Sequence, residues 1–311
     1  MMRILIADQN FGDEARVERE LIEAAGADLA VADCRSEEDV AAALARYRPD
    51  ALLVQFAPVG ARALAAADGL TAIVRYGVGV DNVDVRAAEA AGVSVGRVPD
   101  YCVDEVADHT IGLLLAVERG IVALAAQTGA GGWDVRAVAP VRRLRGLRLG
   151  LVGFGRIGCA VARRAAAFGL RVGAFDALVS DADVRTAGAE PVGFQDLLRS
   201  SDVVSLHVPL TDETRGLIGR DELELLPEGA IVLNTARGGL VDEDALAEAL
   251  WAGKLRGAGI DVVASEPPPP DHPLRSAPGA VLTPHAAWYS ETAILELRRK
   301  AVETALALAS R

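Results

Sequence analysis

The histidines are the residues of this sequence whose placement most directly suggests chemistry. His207 and His285 each follow a short apolar run that is typical of a β-strand, whereas His109 lies in a helical stretch and His272 in a proline-rich loop. In open α/β sheets, ligands bind beyond the carboxyl ends of the strands, which favours His207 and His285. A lone histidine is more often a structural residue than a catalyst, so a catalytic role requires partners.

Partners for His285 lie at the ends of two preceding strands. Glu266 is in the loop after the predicted strand Gly257–Val262, and Arg237 follows the predicted strand Ala230–Thr235. A carboxylate on one imidazole nitrogen stabilises the imidazolium, so the other nitrogen can exchange a proton with a carbonyl or alcohol oxygen. A planar guanidinium can bind a carboxylate at two points. Each residue alone could form an ordinary surface ion pair, but three at successive strand ends favour a joint site.

A glycine-rich turn supplies a candidate dinucleotide site. Residues 153–158 read GFGRIG, the G-x-G-x-x-G pattern, and lie between the predicted strand Leu147–Gly153 and a predicted helix. In this context Gly153 allows the tight turn, Gly155 lets the backbone approach a pyrophosphate, and Gly158 lets the helix pack closely on the strand. The free N–H groups and the positive dipole end of the helix would bind the phosphates.

An acidic residue at the end of the next predicted strand refines this assignment. The strand Arg171–Asp176 ends in Asp176, 18 residues after Gly158. Its carboxylate is placed to accept hydrogen bonds from an adenosine ribose diol and would repel a 2′-phosphate. No arginine follows directly in the sequence, so NAD is favoured over NADP. The alternatives are a glycine-rich turn that holds nothing, or a flavin or another nucleotide.

A second glycine-rich segment follows the predicted strand Ala72–Tyr76. Residues 75–84 read RYGVGVDNVD. Exposed backbone N–H groups around its two close glycines could form a nest that binds an anion. A tight β–α turn without a ligand explains the same pattern equally well.

The elements that must position these residues begin with an α/β series. Five strand-like runs, apolar on both faces and separated by helices, predict a doubly wound unit of parallel strands covered on both sides. The predicted strands are Arg3–Asp8, Asp28–Asp33, Ala51–Phe56, Ala72–Tyr76 and Val93–Val98. The predicted helices are Glu14–Ala25, Glu37–Tyr47, Ala61–Ala67 and Val85–Ala91.

A second α/β series begins at Leu147, after a long predicted helix over Val103–Gln127 and a glycine-containing arm over Thr128–Val141. The middle of the helix is apolar nearly all round, which predicts burial between domains or between subunits. The predicted strands of the second series are Leu147–Gly153, Arg171–Asp176, Val203–Val208, Ala230–Thr235, Gly257–Val262 and Ala280–Thr283.

The order of the elements predicts a discontinuous first domain. One amphipathic helix, at about Ser290–Ala309, follows the second series and is too short for a third domain. The simplest arrangement returns this helix to the first unit. We therefore expect one domain at residues 1–98 plus 288–311 and a second at 99–287, joined by two linkers that suit a hinged interdomain cleft.

Composition bounds the class of protein and its partners. The 311 residues are 51% apolar and 24% charged, as in globular proteins, and their formal net charge is −12. This charge disfavours nucleic acid and anionic membranes as partners. The three cysteines lie far apart, which supports neither a disulfide framework nor a metal site. No apolar run reaches the ~20 residues of a membrane span and no signal-peptide pattern is present, so we expect a cytoplasmic protein.

These motifs together resemble the D-2-hydroxyacid dehydrogenase family, and the resemblance runs nearly from end to end. The segments that carry it are residues 75–84, 98–110 (VPDYCVDEVADHT), 153–158, 206–211 (LHVPLT), 234–239 (NTARGG), Asp261 with 266–268 (EPP), and 283–285 (TPH). Residues 285–290, HAAWYS, are more particularly similar to the C-terminal-binding-protein branch. The relatives in that branch include both dehydrogenases and NADH-sensing transcriptional corepressors.

The resemblance implies two Rossmann-like doubly wound domains, a flavodoxin-like substrate domain and an NAD-binding domain, with the last helix packed on the first. It also implies a homodimer built largely through the NAD-binding domain. It implies Arg237 as the anchor of the substrate carboxylate and carbonyl, Glu266 as the orienting acid and His285 as the proton donor. The other implied site residues are, for the coenzyme, Thr110, Arg156, Ile157, Asp176, His207, Pro209, Thr214, Thr235 and Asp261, and, for the substrate, Arg75, Val78, Gly79 and Trp288.

The reaction expected from these residues is hydride transfer between a nicotinamide coenzyme and C2 of a 2-oxo or D-2-hydroxy acid. Formate dehydrogenases of this fold carry glutamine at the position of Glu266, so that reaction is disfavoured. Phosphite oxidation, phosphoglycerate as substrate, and an NADH-sensing binding protein with little turnover stay open. Four aromatic residues could line an apolar pocket for a bulky 2-oxo acid, or could lie in the core or at an interface. They are Tyr76, Tyr101, Trp288 and Tyr289.

Overall fold

The computed structural model describes residues 1–12 and 15–310, which form two parallel β-sheets with helices between their strands. The strands are β1 (Arg3–Ile6), β2 (Asp28–Val31), β3 (Ala51–Val54), β4 (Ala72–Arg75), β5 (Ser94–Arg97), β6 (Arg148–Val152), β7 (Arg171–Phe175), β8 (Glu190–Pro191), β9 (Val203–Leu206), β10 (Ala230–Asn234), β11 (Leu255–Ile260) and β12 (Ala280–Leu282).

In the described residues, eleven helices lie between strands along the chain, and a twelfth follows the last strand. They are α1 (Arg16–Ala24), α2 (Glu37–Tyr47), α3 (Ala61–Ala65), α4 (Val85–Ala90), α5 (Val103–Glu118), α6 (Ile121–Gly129), α7 (Arg156–Ala167), α8 (Asp181–Thr186), α9 (Phe194–Ser200), α10 (Arg220–Leu225), α11 (Glu243–Trp251) and α12 (Glu291–Ala309). The predicted start of the first helix, Glu14, lies outside the described residues, and the described helix begins at Arg16.

The first compact unit consists of residues 1–102 and 289–311 and is built on a five-stranded parallel sheet. Its strand order is β2-β1-β3-β4-β5, with Leu5 of β1 paired beside Leu52 of β3. Every residue of β3 and the last three of β1 are buried, because helices cover both faces of the sheet. The helix α12 packs on β3, β4 and β5 and forms part of this cover.

A buried ion pair connects the last helix to the first. Arg298 of α12 donates from Nε to Oε1 of Glu18 over 2.9 Å and from Nη2 to Oε2 over 2.5 Å, and the two side chains are 4% and 0% exposed. The Tyr76 hydroxyl donates to the same carboxylate over 3.2 Å. Burial, and then the Glu18 charge, raises the pKa of Tyr76 well above its ordinary value. Charges removed from water need such partners, so this contact fixes the position of α12.

The second compact unit, residues 103–288, is built on a seven-stranded parallel sheet of order β12-β11-β10-β9-β6-β7-β8. The helix α5 packs on β10 and β11, and two glycines of β11 allow a close approach. A Cβ at Gly257 would lie 2.6 Å from Cγ1 of Val117, and one at Gly259 would lie 2.8 Å from Cβ of Leu113. The apolar middle of α5 is therefore buried against the sheet of its own unit.

The single long helix predicted over Val103–Gln127 is wrong, because α5 ends at Glu118 and α6 starts anew at Ile121. Gly120 between them has a φ of 60°, in the left-handed region that glycine adopts without cost. Such a residue ends a helix. The arm predicted over Thr128–Val141 accordingly begins with the last residues of α6 and contains one turn of 3-10 helix.

No single helix in the described residues is both long enough and apolar enough to cross a membrane. The pair α5 and α6 reaches the required length and hydropathy only when the two are taken together, and they are bent by 62° relative to one another.

Removal of the Arg298 side chain should destabilise the first unit strongly. In Arg298→Ala the Glu18 carboxylate would stay buried without its partner, which costs about 3–5 kcal/mol. Arg299→Ala, one residue along α12, breaks an exposed pair with Glu303 and should cost under about 1 kcal/mol. Hydrogen exchange at the amides of β1 and β3 measures the opening free energy of this unit. Equal losses of opening free energy in Arg298→Ala and Arg299→Ala would contradict a stabilising role of the buried Arg298 pair.

Candidate functional site

Arg237, Glu266 and His285 come together at the carboxyl edge of the seven-stranded sheet. They follow β10, β11 and β12, which are neighbours in the sheet and end at the same edge. Nδ1 of His285 lies 2.6 Å from Oε2 of Glu266, and Arg237 is near enough for its charge to act on that carboxylate. The hydrogen bond at Nδ1 fixes the ring, so that proton exchange with a bound molecule takes place at Nε2.

The backbone of His285 is held in an uncommon conformation by a buried carboxylate. Its φ is 52°, and its N–H donates to the Asp261 carbonyl over 2.8 Å. The Asp261 side chain is 1% exposed and accepts the N–H groups of Ala286 and Ala287 together with the Thr283 hydroxyl. Strained backbone of this kind persists only where its surroundings enforce it, and it clusters at functional sites. The turn that presents the imidazole is thus built around Asp261.

Glu266 is an ionised partner for the imidazole at neutral pH. Burial alone would raise its pKa, but the hydrogen bond and charge of His285, together with the Val263 N–H and the Arg237 charge, bring the pKa below its ordinary value. Oε1 accepts the Val263 N–H over 3.1 Å while Oε2 faces the imidazole. The carboxylate can therefore both orient the ring and stabilise its protonated form.

The turn that carries Arg237 packs directly on the loop that carries Glu266. A Cβ at Gly238 would lie only 1.9 Å from the carbonyl carbon of Val263, so a residue with a side chain does not fit there. Asn234 stabilises the same turn, since its Nδ2 donates to the Arg237 carbonyl over 2.8 Å. Backbone contact therefore sets where the Arg237 segment lies relative to the Glu266 loop.

His207 lies at the same sheet edge but is unsuited to donate a proton. Its Nε2 is 2.9 Å from the Ser205 hydroxyl. Burial lowers the pKa of His207 from 6.5 to about 4, so the ring is neutral at neutral pH. A Cβ at Gly153 would lie 2.6 Å from the His207 carbonyl, which places this histidine beside the glycine turn. His285 is the strand-end histidine that has a carboxylate partner.

Two polar residues of α5 reach the same edge. Thr110 is fully buried, and its hydroxyl lies 2.9 Å from that of Thr235, directly after β10. Nε2 of His109 lies 2.9 Å from the Thr283 hydroxyl. The sequence places His109 only in a predicted helix. The structure shows that it contacts Thr283, in the turn that presents the His285 imidazole.

The glycine turn has the shape that a pyrophosphate requires. Gly153 has a φ of 99°, and a Cβ at Gly158 would lie 2.4 Å from the Gly153 carbonyl oxygen, so the helix packs tightly on the turn. At Gly155, by contrast, a Cβ would meet no neighbouring atom of the described chain within 4 Å. Directly after it α7 begins at Arg156, and no described side chain caps its N-terminus. This open, uncapped helix end fits the phosphates of a dinucleotide.

Asp176 directly follows β7, beside the glycine turn. Its Oδ2 accepts the Phe154 N–H over 2.7 Å, and its Oδ1 accepts the N–H groups of Leu178 and Val179 over 2.8 and 3.1 Å. A carboxylate has about four acceptor positions, so these three contacts hold it in place and leave capacity for a ribose hydroxyl. The geometry fits the adenosine end of NAD.

The remaining predicted coenzyme residues lie along the same edge. Arg156 and Ile157 form the first turn of α7, and Pro209 and Thr214 belong to the loop after β9. The Thr214 hydroxyl donates to the Pro209 carbonyl over 2.6 Å and accepts the Thr211 N–H over 2.8 Å. These bonds close the loop into a compact turn, and the Thr214 hydroxyl is engaged within it.

The predicted substrate residues of the first unit lie at the end of β4, at Arg75, and in the loop that follows it. Nε of Arg75 donates to the Gln55 carbonyl over 3.1 Å. Its guanidinium lies over Gly77, and the Gly77 φ of 149° is a backbone conformation that residues with a side chain rarely adopt. Val78 and Gly79 follow and are half-buried. Arg75 and the glycine-rich backbone are thus packed together as one surface.

The described part of the chain contains no group of three or more histidine, cysteine, aspartate or glutamate side chains arranged to hold a metal ion. The three cysteines form no disulfide. Burial raises the pKa of the Cys34 thiol to about 11 and the pKa of Cys159 above its ordinary value, so both are protonated at neutral pH.

Two further polar residues that the sequence did not single out as a pair lie behind the Glu266 loop. Glu243, the first residue of α11, accepts the Ala264 N–H over 2.7 Å through Oε1. Its Oε2 lies 2.9 Å from Nε2 of His272. His272 was recognised only as a loop residue, and the two partners are 29 positions apart. No local sequence pattern signals a contact at that separation.

Alanine at two glycines of the turn should separate coenzyme binding from folding. Gly155→Ala adds a methyl group where the fold leaves room, so the melting temperature should stay near that of the parent. NADH binding should weaken about tenfold or more, or about 1.4 kcal/mol. Gly158→Ala places a methyl group 2.4 Å from the Gly153 carbonyl oxygen and should lower the melting temperature. Calorimetric melts and NADH fluorescence titrations measure both effects, and unchanged NADH affinity in Gly155→Ala would contradict the placement.

Comparison with known proteins finds relatives over most of the chain. The family profile described as D-isomer specific 2-hydroxyacid dehydrogenase, NAD binding domain, matches residues 111–287. A D-3-phosphoglycerate dehydrogenase from Archaeoglobus fulgidus is 40% identical over 273 residues, which cover 88% of this chain and 51% of that protein. A glyoxylate reductase from Korarchaeum cryptofilum is 42% identical over 234 residues, which cover 74% of this chain and 70% of that protein. The chain thus spans about half the length of the phosphoglycerate dehydrogenase that it matches.

The fold is shared with solved structures. A D-lactate dehydrogenase from Aquifex aeolicus, complexed with NAD and lactic acid, superposes with a TM-score of 0.88 at 26% identity, over 99% of this chain and 95% of that one. The predicted pair of parallel-sheet domains and the NAD coenzyme are therefore confirmed. The family profile matches more than half of this chain, and the glyoxylate reductase is 42% identical over 70% of its own length. The chain therefore belongs to the D-isomer specific 2-hydroxyacid dehydrogenase family.

Proposed function

We propose that this protein transfers a hydride between NAD(H) and C2 of a 2-oxo or D-2-hydroxy acid, with His285 exchanging the proton. Oxidoreductase chemistry itself follows from membership of an NAD-binding 2-hydroxyacid dehydrogenase family. The observation that carries the finer proposal is the 2.6 Å contact between Nδ1 of His285 and Glu266, at the sheet edge that also holds Arg237.

The roles of the three side chains follow from their chemistry. The coenzyme, when bound, supplies or accepts the hydride at C4 of its nicotinamide ring. In reduction, Arg237 binds the substrate carboxylate and stabilises the negative charge that develops on the carbonyl oxygen. His285 donates its Nε2 proton to that oxygen, while the Glu266 carboxylate favours the protonated ring before the transfer. In oxidation, the neutral imidazole removes the hydroxyl proton.

The substrate class rests on what the relatives have in common. Their names specify phosphoglycerate, glyoxylate and, in the solved complex, lactic acid, each with a carboxylate beside an oxygen-bearing C2. We propose that Val78 and Gly79 bind this carboxylate through their backbone N–H groups, with Arg75 assisting. Trp288, which is half-buried and follows the His285 turn, would line the substrate pocket.

We further propose that the second unit forms a homodimer through α6 and the segment that follows it. No residue of α6 is buried by the described chain, and its Ile121 and Val122 are 52% and 53% exposed. Beyond the helix, Trp133 and Val135 are 91% and 77% exposed. Large apolar side chains left exposed along one segment are typical of an interface. Sedimentation velocity of the parent protein tests the proposal, and a monomer would overturn it.

His285→Ala should lower kcat for 2-oxo acid reduction about 10²–10⁴-fold, because general acid–base assistance has that value. NADH affinity should change little, since the glycine turn and Asp176 are untouched. Steady-state kinetics together with NADH titration separate the two effects. Turnover near that of the parent would show that another group transfers the proton.

Activity assays on the parent protein decide between an enzyme and an NADH-responsive binding protein. A panel of 2-oxo acids, with phosphite and 3-phosphoglycerate included in the oxidation direction, should show turnover with at least one acid. Tight NADH binding without turnover on any of them would favour an NADH-responsive binding protein. The HAAWYS segment at residues 285–290 motivates that alternative.

Glu266→Gln should move the alkaline limb of the kcat/KM profile for reduction to lower pH. The pKa of Glu266 lies below its ordinary value, so its carboxylate is ionised at neutral pH and favours a protonated His285. The amide removes this charge, so the ring loses its proton at lower pH and reduction falls off earlier. Rate profiles across the neutral and alkaline range measure the limb, and an unshifted limb would count against the orienting role.

A further inference from the structure

The loop that carries Glu266 is held by two carboxylates, those of Glu266 and Glu243. Glu266 belongs to the candidate site with Arg237 and His285, and Glu243 does not. Glu266 itself accepts the Val263 N–H over 3.1 Å through Oε1. The next N–H along the loop, that of Ala264, donates to Oε1 of Glu243 over 2.7 Å. Consecutive amides of one loop are therefore bound by two different side chains, and Glu243 comes from α11.

His272 completes this arrangement on the other oxygen of Glu243. Its Nε2 lies 2.9 Å from Oε2, and the two side chains are 8% and 15% exposed. Nδ1 of His272 is buried, and within the described residues it has no hydrogen-bond partner. A carboxylate oxygen can only accept, so Nε2 of His272 is the donor in this contact. Glu243 thus has both oxygens engaged.

The segment after β10 contacts the Glu266 loop twice. A Cβ at Gly238 would lie 1.9 Å from the Val263 carbonyl carbon and 2.2 Å from the Ala264 nitrogen, so the two backbones touch. Five residues later, Glu243 binds the N–H of that same Ala264. The contact at Gly238 limits how closely the loop can approach, and the hydrogen bond to Glu243 prevents it from moving away.

We propose that Glu243, supported by His272, is a positioning residue for Glu266. It acts by fixing the Ala264 peptide and, with it, the 2.6 Å contact between Glu266 and His285. The inference rests on the proposed function of that contact and deepens it. The competing explanation is that Glu243 only stabilises the first turn of α11 through the helix dipole. Asp244, the next residue of that turn, would share such a role.

Three variants separate the two explanations. Glu243→Ala removes the contacts to Ala264 and His272 together. Glu243→Gln keeps an oxygen for the Ala264 N–H and should restore most of the function. Asp244→Ala takes the same charge from the first turn of α11 and is the matched control. If Glu243→Ala does not fold, Glu243→Asp, whose carboxylate is one methylene shorter, serves in its place.

The first measurement does not require turnover. Nuclear magnetic resonance of the full chain with ¹⁵N-labelled histidine follows the protonation of His285, whose signals are assigned by their loss in His285→Ala. The charged and titratable groups around this turn are Glu266, Arg237, Asp261 and, from α5, His109, whose Nε2 lies 3.5 Å from Oδ1 of Asp261, and all are retained. A loosened loop gives less support to the protonated ring, so Glu243→Ala should move the midpoint to lower pH. Glu243→Gln and Asp244→Ala should keep it near that of the parent.

The second measurement is catalytic. Glu243→Ala should lower kcat about ten- to a hundredfold through misplacement of Glu266, with NADH affinity unchanged. Equal midpoints and equal kcat in Glu243→Ala and Asp244→Ala, with only the melting temperature lowered, would overturn the proposal. If the parent turns over no 2-oxo acid, the proposed function fails, but the nuclear magnetic resonance result still decides whether Glu243 positions the pair.

Discussion

The parallel direction of the strands in the second unit is the constraint on which the candidate site depends. Because β10, β11 and β12 run the same way and are neighbours, the segments that follow them emerge at one edge. Residues 19 positions apart, His285 and Glu266, can therefore share a hydrogen bond. Glycine then sets the closest distances, as at Gly238, where backbone meets backbone.

The features that were predictable from the sequence are those with a local pattern. Strand β10 is buried at every position, and its first four residues appear in the sequence as an unbroken apolar run. The turn at residues 153–158 combines a strand, three glycines and a helix within one short segment, which is why the dinucleotide fold and the family could be predicted and are confirmed. The placement of Arg237, Glu266 and His285 at one sheet edge was predictable because each directly follows or lies near the end of a recognisable strand.

The features that were missed depend on partners far away in the sequence. No periodicity or spacing in the sequence indicates that Glu243 contacts His272. The same is true of the contacts by which Asp261 supports the His285 turn. Strand β8, with only the two residues Glu190–Pro191, is too short to leave a pattern. The break between α5 and α6 had a local signal, the single glycine Gly120, but the apolar runs at residues 111–117 and 121–126 outweighed it.

The ion pair between Glu18 and Arg298 affects the order in which the two units fold during translation. Its two partners are 280 residues apart, and the whole second unit is translated between them. The second unit is contiguous in the chain, whereas Arg298, the partner of Glu18, is translated only after that unit. A carboxylate is not buried alone without a large penalty, so the unit translated first is the one completed last.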